Sequence, residues 1–163
     1  MLISLLLILL SANNSLNKPE IRVRFQSACT NETQLLSLLA ELESQKSPEP
    51  VISAYIGALK ATKARFCSLP WKKYSHCKAG LIHLNQAVNC DPGNIEIRYL
   101  RMLIEFNIPK VADLSGDLEN DKKTILLHFD TERDLNLKKT IASFLVTNNL
   151  TTAEESKKLK DYL

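Results

Sequence analysis

Glycine is scarce in this chain: four in 163 residues. Only Ile21-Arg22-Val23-Arg24-Phe25 alternates apolar with polar side chains over strand length. Tight hairpin turns lean on glycine, and half-buried strands show period-two patterning, so both shortages argue against a β-sheet. One short alternating stretch has no partner to pair with and is read as an extended lead-in. Glycine-rich phosphate loops, a Gly-x-Ser-x-Gly elbow and a His-Glu-x-x-His pair are all missing. So are His-x3-His and Cys-x2-Cys pairs. His76, His83 and Cys90 recur at seven-residue steps on one helix face, yet that spacing separates neighbours by ~10.5 Å along the axis. Ligands to one zinc ion must all come within ~2.3 Å of it. These absences predict no catalytic residues, no metal and no cofactor, and the chain is read as a non-enzyme.

Residues 1–10 carry no charged side chain and are rich in leucine. Ser11-Ala12-Asn13-Asn14-Ser15 then supplies small and polar residues. An apolar run of this length suits the core of a signal peptide and is too short to span a bilayer. The expectation is a signal peptide over 1–12 cleaved near Ala12, an extended lead-in over 13–30, and a single all-helical domain over 31–163. The mature chain would carry no transmembrane segment and reside in the periplasm or outside the cell. About 150 residues are enough for a proper core.

The helical signals are strong from residue 31 onward. Asn31 with Gln34 opens a helix carrying Leu35, Leu38, Leu39 and Leu42. Ser47-Pro48-Glu49-Pro50 marks the next start, with Ser47 as cap, and Ile52, Tyr55, Leu59 and Phe66 follow near helical period. Ala54, Gly57, Ala58, Ala61 and Ala64 form a second line of small residues, which lets a neighbouring helix approach closely. After Pro70, Tyr74, Cys77, Leu81, Leu84 and Val88 make an apolar stripe, with Ile82 and Ala87 beside it. Asp91-Pro92-Gly93-Asn94 stops that helix, and Asn94 is placed to cap the next. Further helices are expected over 118–129 and 132–146, and Thr151-Thr152-Ala153-Glu154 reads as a capping box for a last one. The fold class is therefore all-α, with six or seven antiparallel helices.

Helix, short link, helix, then Ala-Val-Asn-Cys-Asp-Pro-Gly-Asn-Ile-Glu (residues 87–96) resembles the joint between tetratricopeptide-type repeats. The 44 residues from Pro50 to Asn94 exceed the ~34 of that repeat, and its tryptophan-leucine-glycine-tyrosine signature is missing. The resemblance thus implies tetratricopeptide-like helical hairpins in irregular units. Ala-Tyr-Ile-Gly-Ala (54–58), Glu-Ile-Arg-Tyr-Leu-Arg (96–101) and Asn-Ile-Pro-Lys (107–110) resemble a group of small exported helical proteins of Bacteroidetes without established biochemical function. That second resemblance runs from about residue 30 to the end. It implies a helical fold and an envelope location, and imports no catalytic residues.

The four cysteines, Cys29, Cys67, Cys77 and Cys90, could pair in three ways in an exported chain. Cys67 with Cys77 is the easiest pair, near the bend between two antiparallel helices. Equally, Cys77 on the apolar stripe can serve as a small buried hydrophobe.

Charge is distributed unevenly. No Asp or Glu lies between Pro50 and Cys90, whereas Lys60, Lys63, Arg65, Lys72, Lys73 and Lys78 do, although the whole chain is only +3. The sole tryptophan, Trp71, adjoins Lys72 and Lys73. This pattern can be a solvated helix face capped by a hydrophobic plug. Alternatively, Lys60, Lys63, Arg65, Trp71, Lys72, Lys73 and Lys78 form a face for an unknown protein or an anionic envelope component. The functional expectation is an exported interaction or scaffolding module. A competing reading is an intracellular helical protein that binds nucleic acid through residues 60–78; the apolar leader disfavours it.

Overall fold

Polar side chains open most of the helices. Asn17, Asn31, Asn94, Asp134 and Thr152 each accept a hydrogen bond from a backbone N–H of the first turn, supplying partners the helix itself cannot provide. The computed structural model describes residues 17–109, 112, 114 and 116–163. The expected leader and its cleavage position at Ala12 lie outside them. Eight α-helices follow in order: α1 (Lys18–Ala28), α2 (Glu32–Glu43), α3 (Pro50–Thr62), α4 (Pro70–Cys90), α5 (Ile95–Asn107), α6 (Leu118–His128), α7 (Leu135–Thr147) and α8 (Ala153–Leu159). Short 3-10 turns extend α3, α6 and α8. The chain is all-α, and no strand occurs among the described residues.

One expected element is overturned. The lead-in over 13–30 contains α1, so helix begins at Lys18 rather than near residue 31; residues 13–16 lie outside the described residues. Ile21, Phe25 and Ala28 recur at steps of four and three and are all buried, whereas Val23 is 65% exposed. The apparent alternation arose because both arginines in it have ionic work: Arg22 meets Glu96 and Asp134, and Arg24 meets Glu41. Three helix starts also move. Glu49, not Ser47, occupies the N-cap of α3 and makes no side-chain cap bond, while Ser47 sits at φ 60°. Pro50 holds the residue before it in extended geometry, so helix begins only at Pro50. The α7 start falls at Leu135 rather than residue 132, after Asp134, which accepts from the Asn136 and Leu137 N–H groups. The last capping box pairs Thr152 with Glu155, one residue later than expected.

Two apolar clusters share α5. Ile97, Leu100 and Ile104 join α1–α4 in the first, and Ile95 and Met102 join α6–α8 in the second. Nine of the thirteen α5 residues are buried, which makes this helix the wall between the clusters. Four of the nine are charged, and most of their polar atoms find partners across the wall. Glu96 takes two bonds from Arg22 (2.7 and 2.9 Å) and one from the Tyr55 hydroxyl (2.7 Å). Arg98 and Arg101 converge on Asp121, whose side chain is fully buried, at 2.6–2.9 Å.

The antiparallel α3–α4 pair approaches to backbone contact. A Cβ on Gly80 would stand 2.5 Å from the Gly57 carbonyl oxygen and 2.6 Å from the Ala61 Cβ. A Cβ on Gly57 would meet the Gly80 carbonyl oxygen at 2.9 Å. This is the close approach that the small-residue line of α3 predicts, and Gly80 supplies its other half. Gly80→Val must therefore push two backbones apart. Overpacking of ~1–3 kcal/mol outweighs the gain in helix propensity from losing glycine. The urea midpoint should fall, with a net loss of about 1–2 kcal/mol; a midpoint at or above wild type would show that the helices do not cross this closely.

Candidate interaction surface

The crossing at Gly80 fixes what the rest of α4 can do. Gly57 lies against the stretch from Gly80 to Leu84, and Ala61 against Gly80. Beyond Gly80, α4 runs on to Pro70, and the 3-10 turn over Lys63–Phe66 continues α3 along part of that length and packs on α4. About one turn of α4, ~5 Å, outruns its partner. Residues 68–75 are exposed without interruption. Burial of α4 begins in earnest at Gly80, with Leu81, Leu84, Ala87 and Val88 facing the core. Tyr74, expected on the apolar stripe, is instead 45% exposed, and Ile82, two turns on, is 50% exposed.

The predicted face divides accordingly. Lys60 is committed elsewhere: its Nζ lies 2.9 Å from Glu43 Oε1 and 2.9 Å from His83 Nε2. Burial and the Lys60 charge both hold the His83 imidazole below its usual range. Arg65 lines a small cavity of about 130 Å³ with Phe25, Cys29 and Cys77. Lys63 and Lys72 both act on His76, which burial and those two ammonium groups push below the ordinary histidine range. Trp71, Lys72, Lys73 and Lys78 are exposed, Trp71 by 66%. Among the described residues, Lys63, Arg65, Lys72, Lys73 and Lys78 make no ion pair. Trp71, Lys72, Lys73 and Lys78 are thus all exposed on the first part of α4, with Trp71 and Lys78 on one side of the helix and Lys73 on the opposite one; Lys63 and Arg65 lie on the 3-10 turn, and Lys60 is engaged by Glu43 and His83.

Sequence reasoning missed two members. Leu69 is 38% exposed at the N-cap of α4, and Tyr74 joins Trp71 one turn on. Steps of three, four and four carry Trp71, Tyr74, Lys78 and Ile82 along an outer ridge. A signal for them existed in the length mismatch between a 21-residue α4 and a 13-residue α3.

The other ionisable groups are tied to one another. In the Arg22–Glu96–Tyr55–Asp134 group, burial followed by the Glu96 charge drives the Tyr55 phenol strongly upward, and the hydrogen bond to Arg22 draws Asp134 below the usual carboxylate range. These bonds clamp α1, α3 and α5 to the start of α7. Among the described residues no three His, Cys, Asp or Glu side chains gather where one ion could be held. All four cysteines are free thiols, Cys90 exposed and the others half-buried. A surface depression of about 970 Å³ lies between α6 and α8, where Lys122 already bridges Glu119 and Glu155. No described helix is long and apolar enough to cross a membrane. Comparison with protein-family models, curated proteins and solved structures finds no match.

One buried acid is left partly unsatisfied. Glu105 is 7% exposed, and its Oε2 has no hydrogen-bond partner among the described residues. Burial pushes its carboxyl up to about 7, Arg101 opposes that rise, and Asp121 and Asp117 add to it. The folded state therefore binds a proton that the unfolded chain releases near pH 4.5. Stability must fall as pH rises from about 4.5 to about 7 on this account. Glu105→Gln should flatten that slope and raise stability at pH 8 by on the order of 2 kcal/mol. Urea unfolding at pH 5, 6.5 and 8 checks this; parallel curves for the two proteins would refute it.

Proposed function

We propose that this chain is an exported cell-envelope protein that acts as an interaction or scaffolding module, with the projecting start of α4 as its partner face. One observation carries the reading: residues 68–75 are exposed without interruption at the start of α4, with Trp71 and, among the described residues, unpaired Lys72 and Lys73 in their midst. Exposing an indole there leaves apolar surface in water, and unpaired like charges repel one another. Neither feature serves the fold, so both are assigned to a partner outside the chain. The apolar run over 1–10 supports the export half of the reading.

The α3–α4 hairpin, the Asp91-Pro92-Gly93-Asn94 turn and α5 support a tetratricopeptide-like stacking of irregular hairpins, through the small-residue crossing at Gly57 and Gly80. The likeness to exported Bacteroidetes proteins points to the same compartment. Nucleic acid is the less favoured partner, because five cations spread over the 3-10 turn and opposite sides of α4 make no continuous track for a phosphate backbone.

Two measurements test the proposal. Intact mass on fractions of the native host should give a chain beginning at Asn13 in the envelope; a full-length cytosolic chain would overturn export. A photo-crosslinker at Tyr74 should capture envelope material, while one at exposed Leu127 should not. The combined variant Lys63→Glu, Lys72→Glu, Lys73→Glu and Lys78→Glu should lose that capture and keep its thermal midpoint, since none of the four is ion-paired among the described residues. Lys60 is left in place because it pairs with Glu43. Undiminished capture by the folded variant would remove the face assignment.

A further inference from the structure

Three features of α4, taken together, define a chemistry. The first is apolar: Leu69, Trp71, Tyr74 and Ile82 are exposed by 38%, 66%, 45% and 50%. Two of these are amphipathic aromatics, the residue types that place a ring at the acyl boundary and a polar edge among headgroups. The second is charge: from Pro50 to Cys90 there is no carboxylate, and Lys72 and Lys78 flank the aromatics without an ion pair among the described residues. The third is alignment: Trp71, Tyr74, Lys78 and Ile82 recur at steps of three, four and four, which sets them along one side of α4. Rings and lysines aligned along one side of a helix suit an extended anionic surface that meets the helix lengthwise.

We propose that the outer ridge of α4 docks on an anionic lipid bilayer, with Trp71 and Tyr74 seated at the headgroup boundary and Lys72 and Lys78 on lipid phosphates. This rests on the partner-face reading above and names the partner. From Trp71 to Ile82 the ridge runs eleven residues, ~16 Å, so α4 lies along the membrane plane and does not enter the bilayer. Each lysine at an anionic surface is worth roughly fivefold in partitioning, screened within a Debye length of ~8–10 Å at moderate salt. Two lysines beside two rings make an attachment that is reversible and salt-sensitive. Lys60, held by Glu43 and His83, takes no part.

Trp71 is the only tryptophan in the chain, so its emission reports on this ridge alone. The probe is full-length protein mixed with vesicles of phosphatidylcholine carrying about one-third phosphatidylglycerol, a composition anionic enough to set up the surface attraction. Trp71 emission should shift to shorter wavelength and be quenched by lipids brominated near the headgroup, and pure phosphatidylcholine should give little of either. Lys72→Glu and Lys78→Glu together should weaken co-sedimentation on the order of thirtyfold or more. Trp71→Ala should weaken it roughly tenfold. The pair Lys157→Glu and Lys158→Glu, on exposed α8 lysines, should change it little. Every variant carries the same N-terminal segment, so any contribution of residues 1–10 cancels.

Unchanged Trp71 emission on anionic vesicles, or equal binding to neutral ones, overturns the lipid assignment. If the Tyr74 crosslinker still captures envelope protein in that case, the partner face stands and its partner is a protein. Quenching of Trp71 by duplex DNA alone would likewise remove lipid and install nucleic acid. Vesicle binding that survives the double lysine reversal with Trp71 still quenched also refutes the proposal, because the rings alone would then hold the ridge.

Discussion

The contact between Gly57 and Gly80 is the constraint on which the candidate site depends. At this crossing two helix backbones come within contact distance of one another, which only glycine permits on both sides. That contact fixes the register of α4 against α3. Given the register, unequal lengths do the rest: a 21-residue α4 outruns the 13 residues of α3 and the four of its 3-10 turn by about one helical turn. The overhang could have been placed at either end. Here the far end is capped by the turn into α5 and covered by the shared core, so the surplus falls at the start, where Pro70 opens the helix. A shift of one helical turn would carry Tyr74 toward cover and bring Lys78 against the α3 surface. Packing near the middle of the hairpin thus decides what its tip presents.

A different kind of constraint holds the two apolar clusters together. The α5 helix is apolar toward both sides and charged along its seams; the seams meet α1 and α6 through carboxylate–guanidinium pairs and α3 through the Tyr55 hydroxyl, while Arg22 of α1 carries the link on to Asp134 at the start of α7. Buried pairs of this sort contribute little net stability against well-packed apolar substitutes, yet removing one partner strands the other at several kcal/mol. Their geometric demand is high, because a guanidinium accepts a carboxylate only in its plane. Such pairs fix where α6 and α7 sit relative to α5 better than leucine contacts alone would. Lys138 makes a related choice: buried to 5%, its ammonium lies 5.0 Å from the Phe129 ring and 4.5 Å from the Tyr162 ring. Aromatic faces there take the place of a carboxylate.

Periodicity made the all-α class and the bounds of α2, α5 and α6 legible, because their buried positions follow the helical repeat and their caps are local. The small-residue line of α3 also announced its close neighbour. What escaped was decided by distant partners. Arg22 and Arg24 turn α1 into an apparent strand when read alone, since their carboxylates lie 74 and 17 positions away. Tyr74 belongs to the apolar stripe of α4 by spacing, and only the packing of its neighbours leaves it 45% exposed. Lys60 looks identical to Lys72 in sequence; Glu43, brought close by the packing of α2 on α3, separates the two. A helix pattern says which residues share a face, and another helix says whether that face is covered.

The charge segregation along the chain can then be read physically. Acidic residues are plentiful where they meet arginines in the interior or cap helices, and they are absent from the forty-one residues between Pro50 and Cys90. Interspersing glutamates on the exposed side of a long helix would be the inexpensive solution for stability, since Glu–Lys pairs one turn apart stabilise a helix by a few tenths of a kcal/mol each. The α4 helix forgoes every such pair, and its exposed lysines repel one another instead. It also leaves an indole and a phenol in water at the same end. Each departure is small alone. Their coincidence at the start of α4 is what separates a binding ridge from a merely solvated one.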